Sequence, residues 1–292
     1  MRNLLSWYLQ QAGYSYVVID QPQNNTASKV AAGIINPVTG RRIVKTWLID
    51  EVMPLAQEAY TALGAALDIK AMETTSIVDF YATPQMKLAF EKKYEEDPQY
   101  LSLPADIYHW HTLFNYDFGY GEIDPCYLIR LQDILPAYRS LLQSQQLLRE
   151  EWFELDHLQV TPDGITYKDI TASRVIFSDG IATAQNPYFK NLPFAPNKGE
   201  AVWVEIKDLP ATHIFKKDLT WCPGRMIFSG WAPPTCGSLT MTCLRRDTAS
   251  LPITGCYKPL NCLSRSLTIK HPYGLPRWNA GPLLAFIHNI RR

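Results

Sequence analysis

The sequence predicts an α/β chain, α+β overall, and two stretches carry that expectation. In the first, apolar residues recur at helical spacing over residues 4–11, Gly13 supplies a stop, and SYVVID reads as a buried strand closing on Asp20. In the second, VIFSDG at residues 175–180 reads as another buried strand that leaves its sheet on a tight turn and returns the chain to the same unit. Ligands of open α/β sheets lie at the carboxyl ends of strands, where the first stretch places Asp20. A chain of 292 residues and 33.3 kDa suffices for one large domain or two interleaved ones.

The segment after Asp20 bears on that acid's role. A lone acid at a strand end is ordinarily a solvated surface carboxylate, but ASKVAAG, from Ala27 to Gly33, is rich in small residues. Small side chains let backbone N–H groups approach an anionic phosphate or a flat ring closely. Asn36-Pro37 and Gly40-Arg41-Arg42 follow, and the two arginines suit either a phosphate or carboxylate grip or a solvated turn. Residues 50–67 carry Val52, Ala56, Ala59, Tyr60 and Leu63 at helical spacing, which predicts a core helix.

Further along, residues 75–82 alternate as a strand, and the charge run at 91–97 predicts a solvated helix face. His109 and His111 flank Trp110, which predicts two imidazoles on one strand face. No carboxylate or thiol at suitable spacing completes a metal set, so they are expected to be structural and no metal is expected. Residues 119–126 are rich in glycine and aromatics, and 131–142 read as a helix. Strands are expected at 152–155 and 164–167 about a Pro162-Asp163-Gly164 turn, and Lys198-Gly199-Glu200 opens another at 201–206.

The formal net charge of zero conceals a cancellation. Residues 1–218 hold 27 acids and 19 bases, whereas residues 219–292 hold one acid, Asp247, and nine bases. Five of the six cysteines, Cys222, Cys236, Cys243, Cys256 and Cys262, also lie in that last part, with 13, 6, 12 and 5 residues between them. Zinc would need close Cys-x-x-Cys pairs, and a nucleic-acid arm would need clustered bases with stacking aromatics. The remaining reading is that this tail is not a selected sequence. No apolar run approaches the roughly 18 residues of a membrane span, and the start MRNLLSWYLQQ is too polar for a signal peptide. The default expectation is a cytoplasmic protein.

The strand ending on Asp20, the loop ASKVAAGIINP, the segment VIFSDG, and PFAPNKGE ahead of a strand together resemble the FAD-dependent oxidoreductases of the D-amino-acid oxidase and glycine oxidase type. The resemblance runs from about residue 4 to 219. It implies a partial Rossmann-like FAD-binding domain at residues 1–75 and 150–198, interleaved with an antiparallel-sheet substrate domain at 76–149 and 199–218. It also implies FAD as cofactor and a small-molecule amine or amino acid as substrate, oxidised by hydride transfer to the flavin. Asp20 would bind the adenosine ribose hydroxyls, while Ser28, Ala31, Ala32 and Gly33 would line the pyrophosphate and flavin. Ser178, Asp179 and Gly180 would form the later dinucleotide contact. Asp20 and Gly33 are then expected to face one cleft. The cofactor carries the chemistry, so the resemblance names no catalytic acid or base.

The chain departs from that pattern at both ends. A first strand and Gly-x-Gly-x-x-Gly turn would lie about 20 residues before the acid, yet Met1 is only 19 positions before Asp20. This predicts an N-terminally truncated chain that binds FAD poorly. The family's later Arg-Pro motif is also absent after Leu219. Back-translating the stretch from Arg225 to Ala232 one nucleotide earlier permits Asp-Asp-Ile-Phe-Trp-Val-Gly, and the stretch from Arg277 to Pro282 permits Ala-Val-Glu-Arg-Arg-Pro, which predicts a frame-shifted tail. Such a tail is expected to lack packed structure and to expose Trp221, Phe228, Trp231 and Trp278. The alternative to an oxidoreductase is a non-catalytic α/β interaction module or pseudoenzyme fragment.

Overall fold

A computed structural model of the chain describes residues 2–23, 26–40, 42–195, 200–206, 209–217, 220–223, 225–228, 267–270 and 285–290. The chain opens with helix α1 (Arg2–Gln11), stopped at Gly13 with φ +72°, and enters strand β1 (Tyr16–Ile19). The small-residue segment folds as a single turn, α2 (Ala27–Val30), followed by β2 (Ile34–Ile35) and the hairpin β3 (Val38–Thr39) and β4 (Val44–Lys45). Helix α3 (Ile49–Leu67) buries Met53, Ala59 and Leu63. Val52, expected on that apolar stripe, is instead exposed, because the buried face runs through residues 53, 59 and 63.

Strand β5 (Met72–Phe80) leads to α4 (Pro84–Glu96), where Thr83 Oγ1 accepts from Met86 N at 3.2 Å and Pro84 takes the first helical position. Only Phe90 of α4 is fully buried, and Lys87–Glu91 and Lys92–Glu96 pair along its solvated face, as the charge run predicts. Thr83→Ala is expected to lower stability by about 1 kcal/mol through the lost cap, seen as a lower urea midpoint at unchanged m-value. After β6 (Leu101–Ser102) come β7 (Tyr120–Ile129), α5 (Leu131–Ser144) and β8 (Leu148–Arg149). A tight hairpin, β9 (Leu158–Thr161) and β10 (Gly164–Tyr167), turns at Pro162-Asp163 and is followed by β11 (Ile170–Phe177).

Two sequence expectations fail locally. Residues 152–155 form no strand, since Tyr167 Oη donates to Trp152 O at 3.3 Å and accepts from Glu154 N at 3.2 Å, so a side chain holds this segment where a neighbouring strand would. His109 and His111 lie on a turn opened by Asp106, whose Oδ1 accepts from Tyr108 N at 2.8 Å. Their rings pack on Trp110 and Tyr116 with centroids 4.6 and 4.2 Å apart.

The remaining strands are β12 (Glu200–Ile206), β13 (His213–Lys216), β14 (Thr220–Cys222), β15 (Arg225–Phe228), β16 (Leu267–Lys270) and β17 (Ala285–Ile290). They complete two sheets. The first has the order β8-β1-β17-β11-β10-β9; the second runs β16-β12-β15-β14-β13-β5-β7-β2, with β6 on β7. Among the described residues antiparallel pairs dominate both sheets, and the parallel pairs are β1–β8 and β13–β5.

Helices α1 and α5 cover one face of the first sheet through Trp7, Ile134, Tyr138 and Leu142, with Leu63 of α3 joining the same cluster, while Phe153, Ile165 and Tyr167 pack on its other side. In the second sheet, Val78 and Phe80 of β5 face an aromatic cluster with Trp110, Tyr116 and Phe215, and Ile77 faces the opposite core with Phe90 and Ile123. That alternation is the period of two along a strand.

Of the expected tail, Cys222 is buried and Trp221 is partly buried against the Phe80–Phe215 cluster, since its pairing with Phe215 turns it to that face. Trp221 is thus not the exposed residue the sequence suggested. Trp231, Trp278, Cys236, Cys243, Cys256 and Cys262 lie outside the described residues, as do Arg41 and Lys198-Gly199. Among the described residues no helix is long and apolar enough to cross a membrane.

Candidate functional site at the carboxyl end of the first sheet

Strands β1 and β11 both pair antiparallel with β17, so they run parallel to each other on its two sides. Ile19 and Phe177 share the same partner, Ala285. The residues that follow them, Asp20 on one side and Ser178-Asp179-Gly180 on the other, therefore leave the sheet at the same end, about 10 Å apart across two strand spacings.

At that end Asp20 is 6% exposed and its N–H donates to Arg149 O at 3.0 Å, extending the β1–β8 pairing. Arg139, in the third turn of α5, reaches two of its oxygens: Nη1 donates to Oδ2 at 2.5 Å and Nη2 to the Asp20 carbonyl at 3.2 Å. Glu150 holds the guanidinium from the other side, accepting from Arg139 Nε at 3.0 Å and also from Gln143 Nε2 at 3.0 Å. The helix supporting Arg139 is anchored by Ile134, Tyr138 and Leu142, and Tyr138 Oη shares a 3.0 Å hydrogen bond with Ser6 Oγ. The cavity left beside Asp20 is about 10 Å³, lined by Val18, Tyr138, Arg139 and Leu148 among others. That volume holds roughly one water.

Asp179 is also engaged. Its carboxylate accepts from Thr183 Oγ1 at 2.5 Å and from Asn186 Nδ2 at 3.4 Å, tying down the 3₁₀ turn Gly180–Gln185. Ser178 is half-buried and Gly180 exposed. In the small-residue segment Ser28 and Ala31 are exposed, and Ala32 packs against the second sheet's core. Gly33, at φ +76°, accepts from Ile129 N at 2.8 Å, and a Cβ on it would lie 2.2 Å from Ile129 O. The side a Cβ would occupy faces the end of β7. Residue Gly33 thus abuts the strand that leads into α5, and α2 packs against α5 itself, the helix whose Arg139 meets Asp20.

Sequence reasoning missed Arg139 and Glu150. The available signal was position: Arg139 sits beside Leu135, Tyr138 and Leu142 on the inward side of an amphipathic helix, where an unmatched charge calls for a buried acid. The second sheet holds another buried pair, Lys216 Nζ to Asp79 Oδ2 at 2.7 Å. Burial pushes the Asp79 carboxyl above the usual range, against the opposing pull of Lys216. Asp79 Oδ1 and the Tyr81 hydroxyl have no hydrogen-bond partner among the described residues, and burial raises the Tyr81 pKa. A wide open depression of about 590 Å³ lies elsewhere, beside Lys70, Glu73, Arg130 and Asp133. Its charges largely neutralise one another, with Arg130 on both Glu73 and Asp133. Among the described residues no group of three His, Cys, Asp or Glu side chains is placed to hold a metal.

The fold and this edge define a mixed α/β chain with a polar strand-end site on one sheet and an aromatic core on the other. Several solved structures superpose on this chain. Iminodiacetate oxidase from Chelativorans sp. BNC1 superposes with TM-score 0.52 at 13% identity, over 77% of this chain and 67% of that one. Glycine oxidase from Geobacillus kaustophilus gives TM-score 0.55 at 13% identity, over 72% and 62%. L-amino acid deaminase from Proteus vulgaris gives 0.52 at 9% identity, over 77% and 57%. At these identities the likeness is one of fold, and the chain spans 57–67% of the length of these structures. No protein-family profile matches the sequence.

Proposed function

We propose that this chain is of the FAD-dependent amine and amino-acid oxidoreductase kind, with its dinucleotide side at the carboxyl end of the first sheet, and that as folded it holds FAD weakly. The observation supporting the first half is the shared register of Ile19 and Phe177 on Ala285, which delivers Asp20 and Ser178-Asp179 to one sheet end. Strand ends of this kind are where α/β sheets take ligands.

The residues present do not fit an adenosine ribose at Asp20. Its carboxylate is held by Arg139 and the adjoining cavity is about 10 Å³, far below the size of a sugar ring. The same observation favours the second reading, a non-catalytic α/β module that keeps the oxidase fold. Titration of the whole chain with FAD, followed by calorimetry or flavin fluorescence, is expected to show no submicromolar site. With FAD in large excess and oxygen removed, a panel of small amines and amino acids is expected to bleach the visible flavin absorbance over protein-free controls. No bleaching with any of them would favour the non-catalytic module, and submicromolar FAD binding would overturn the weak-binding half.

A further inference from the structure

We infer that Arg139 is the residue that decides nucleotide entry: its guanidinium takes the hydrogen-bonding place at Asp20 that an adenosine ribose would need, and FAD binds only when Arg139 leaves it. The inference rests on the dinucleotide side proposed above. Two parallel N–H donors reach Asp20, one to Oδ2 and one to the backbone carbonyl, while Glu150 fixes the far side of the same planar group. A guanidinium chelated between two acids is a rigid, charge-assisted arrangement. A ribose diol, being neutral, competes for the same Oδ2 with weaker bonds. The partner is internal and tethered, so no increase in protein concentration dilutes it.

Release does not require α5 to move. Tyr138 and Leu142 pin the helix into the core, whereas the Arg139 side chain is 21% exposed and has solvent on one side. Rotation of that side chain alone would withdraw the guanidinium from Asp20 Oδ2. Shortening the side chain should have the same effect. Arg139→Gln removes the charge yet leaves an amide that can donate to the buried carboxylate, and Arg139→Lys keeps the charge but replaces the planar fork by one ammonium nitrogen.

Flavin fluorescence titrations of the full chain test this. Arg139→Gln is expected to tighten FAD binding by at least about tenfold and Arg139→Lys by about threefold, as one or both chelate bonds are lost. Adding Asp20→Asn to Arg139→Gln is expected to cancel the gain. FMN, which has no adenosine, should bind the parent and the variants alike. Equal FAD affinity in the parent and in an Arg139→Gln chain whose far-ultraviolet circular dichroism matches the parent's would overturn the inference. If that variant does not fold, the Lys variant decides by the same sign. Unchanged affinity accompanied by amino-acid-dependent bleaching at saturating FAD sinks this inference and leaves the oxidoreductase reading standing. Absence of bleaching in every chain, with no FAD-specific gain in any variant, sinks both.

Discussion

Replacing Gly33 by alanine is expected to destabilise the folded chain by about 3 kcal/mol with no flavin present, since a backbone clash and an unfavourable backbone angle add. A Cβ at this position would sit 2.2 Å from the carbonyl oxygen of Ile129, and that carbonyl belongs to the last residue of β7, the second sheet's longest strand among the described residues. It cannot rotate aside as a side chain would. The same substitution at Gly13, also at positive φ but with nothing within 4 Å, provides the comparison. Gly13→Ala should cost about 1 kcal/mol, the conformational part alone. Urea denaturation of both variants measures the difference, and equal losses would show that Gly33 does not press on Ile129.

Lys216→Met is expected to cost about 3 kcal/mol at neutral pH, because it leaves a buried carboxylate without its counter-charge. Asp79 is 1% exposed and its Oδ1 already lacks a hydrogen-bond partner among the described residues, so Lys216 is what makes the ionised form tolerable. Asp79→Asn should cost less, since the Lys216 side chain is 23% exposed and its ammonium can turn to water. The pH dependence follows from the raised carboxyl pKa. Between the unfolded and folded values the native state binds more protons, so stability falls as pH rises through that window and is regained below it. Removing Lys216 raises the folded value further. The deficit of Lys216→Met should therefore shrink as pH is lowered from 7 toward about 4, and a deficit independent of pH in chemical denaturation would count against a buried, charged Asp79.

The elements were largely legible where local pattern fixes them. Helical spacing marked α1, α3 and α5, and apolar runs bounded by turn residues marked β1, β10 and β11. The candidate site was legible at its ends, since a strand closing on Asp20 and another on Ser178-Asp179 are visible as sequence. What those acids contact was not. Asp20 and Arg139 lie 119 residues apart, and an ion pair between remote segments leaves no periodic trace in either of them. Residues 152–155 misled because their pattern suits a strand while a tyrosine hydroxyl takes the backbone bonds that a neighbouring strand would need.

By itself, then, the sequence determined where helices and strands form, where strands end on acids, and that the chain is of mixed α/β class, because side-chain periodicity and turn chemistry are local properties. Only the tertiary structure decided partners. It set β17 between β1 and β11, pressed the Gly33 backbone against Ile129, and closed Arg139 over Asp20. Strand order, close backbone approach and charge pairing each depend on where distant segments meet in space, and a local pattern carries no record of that distance.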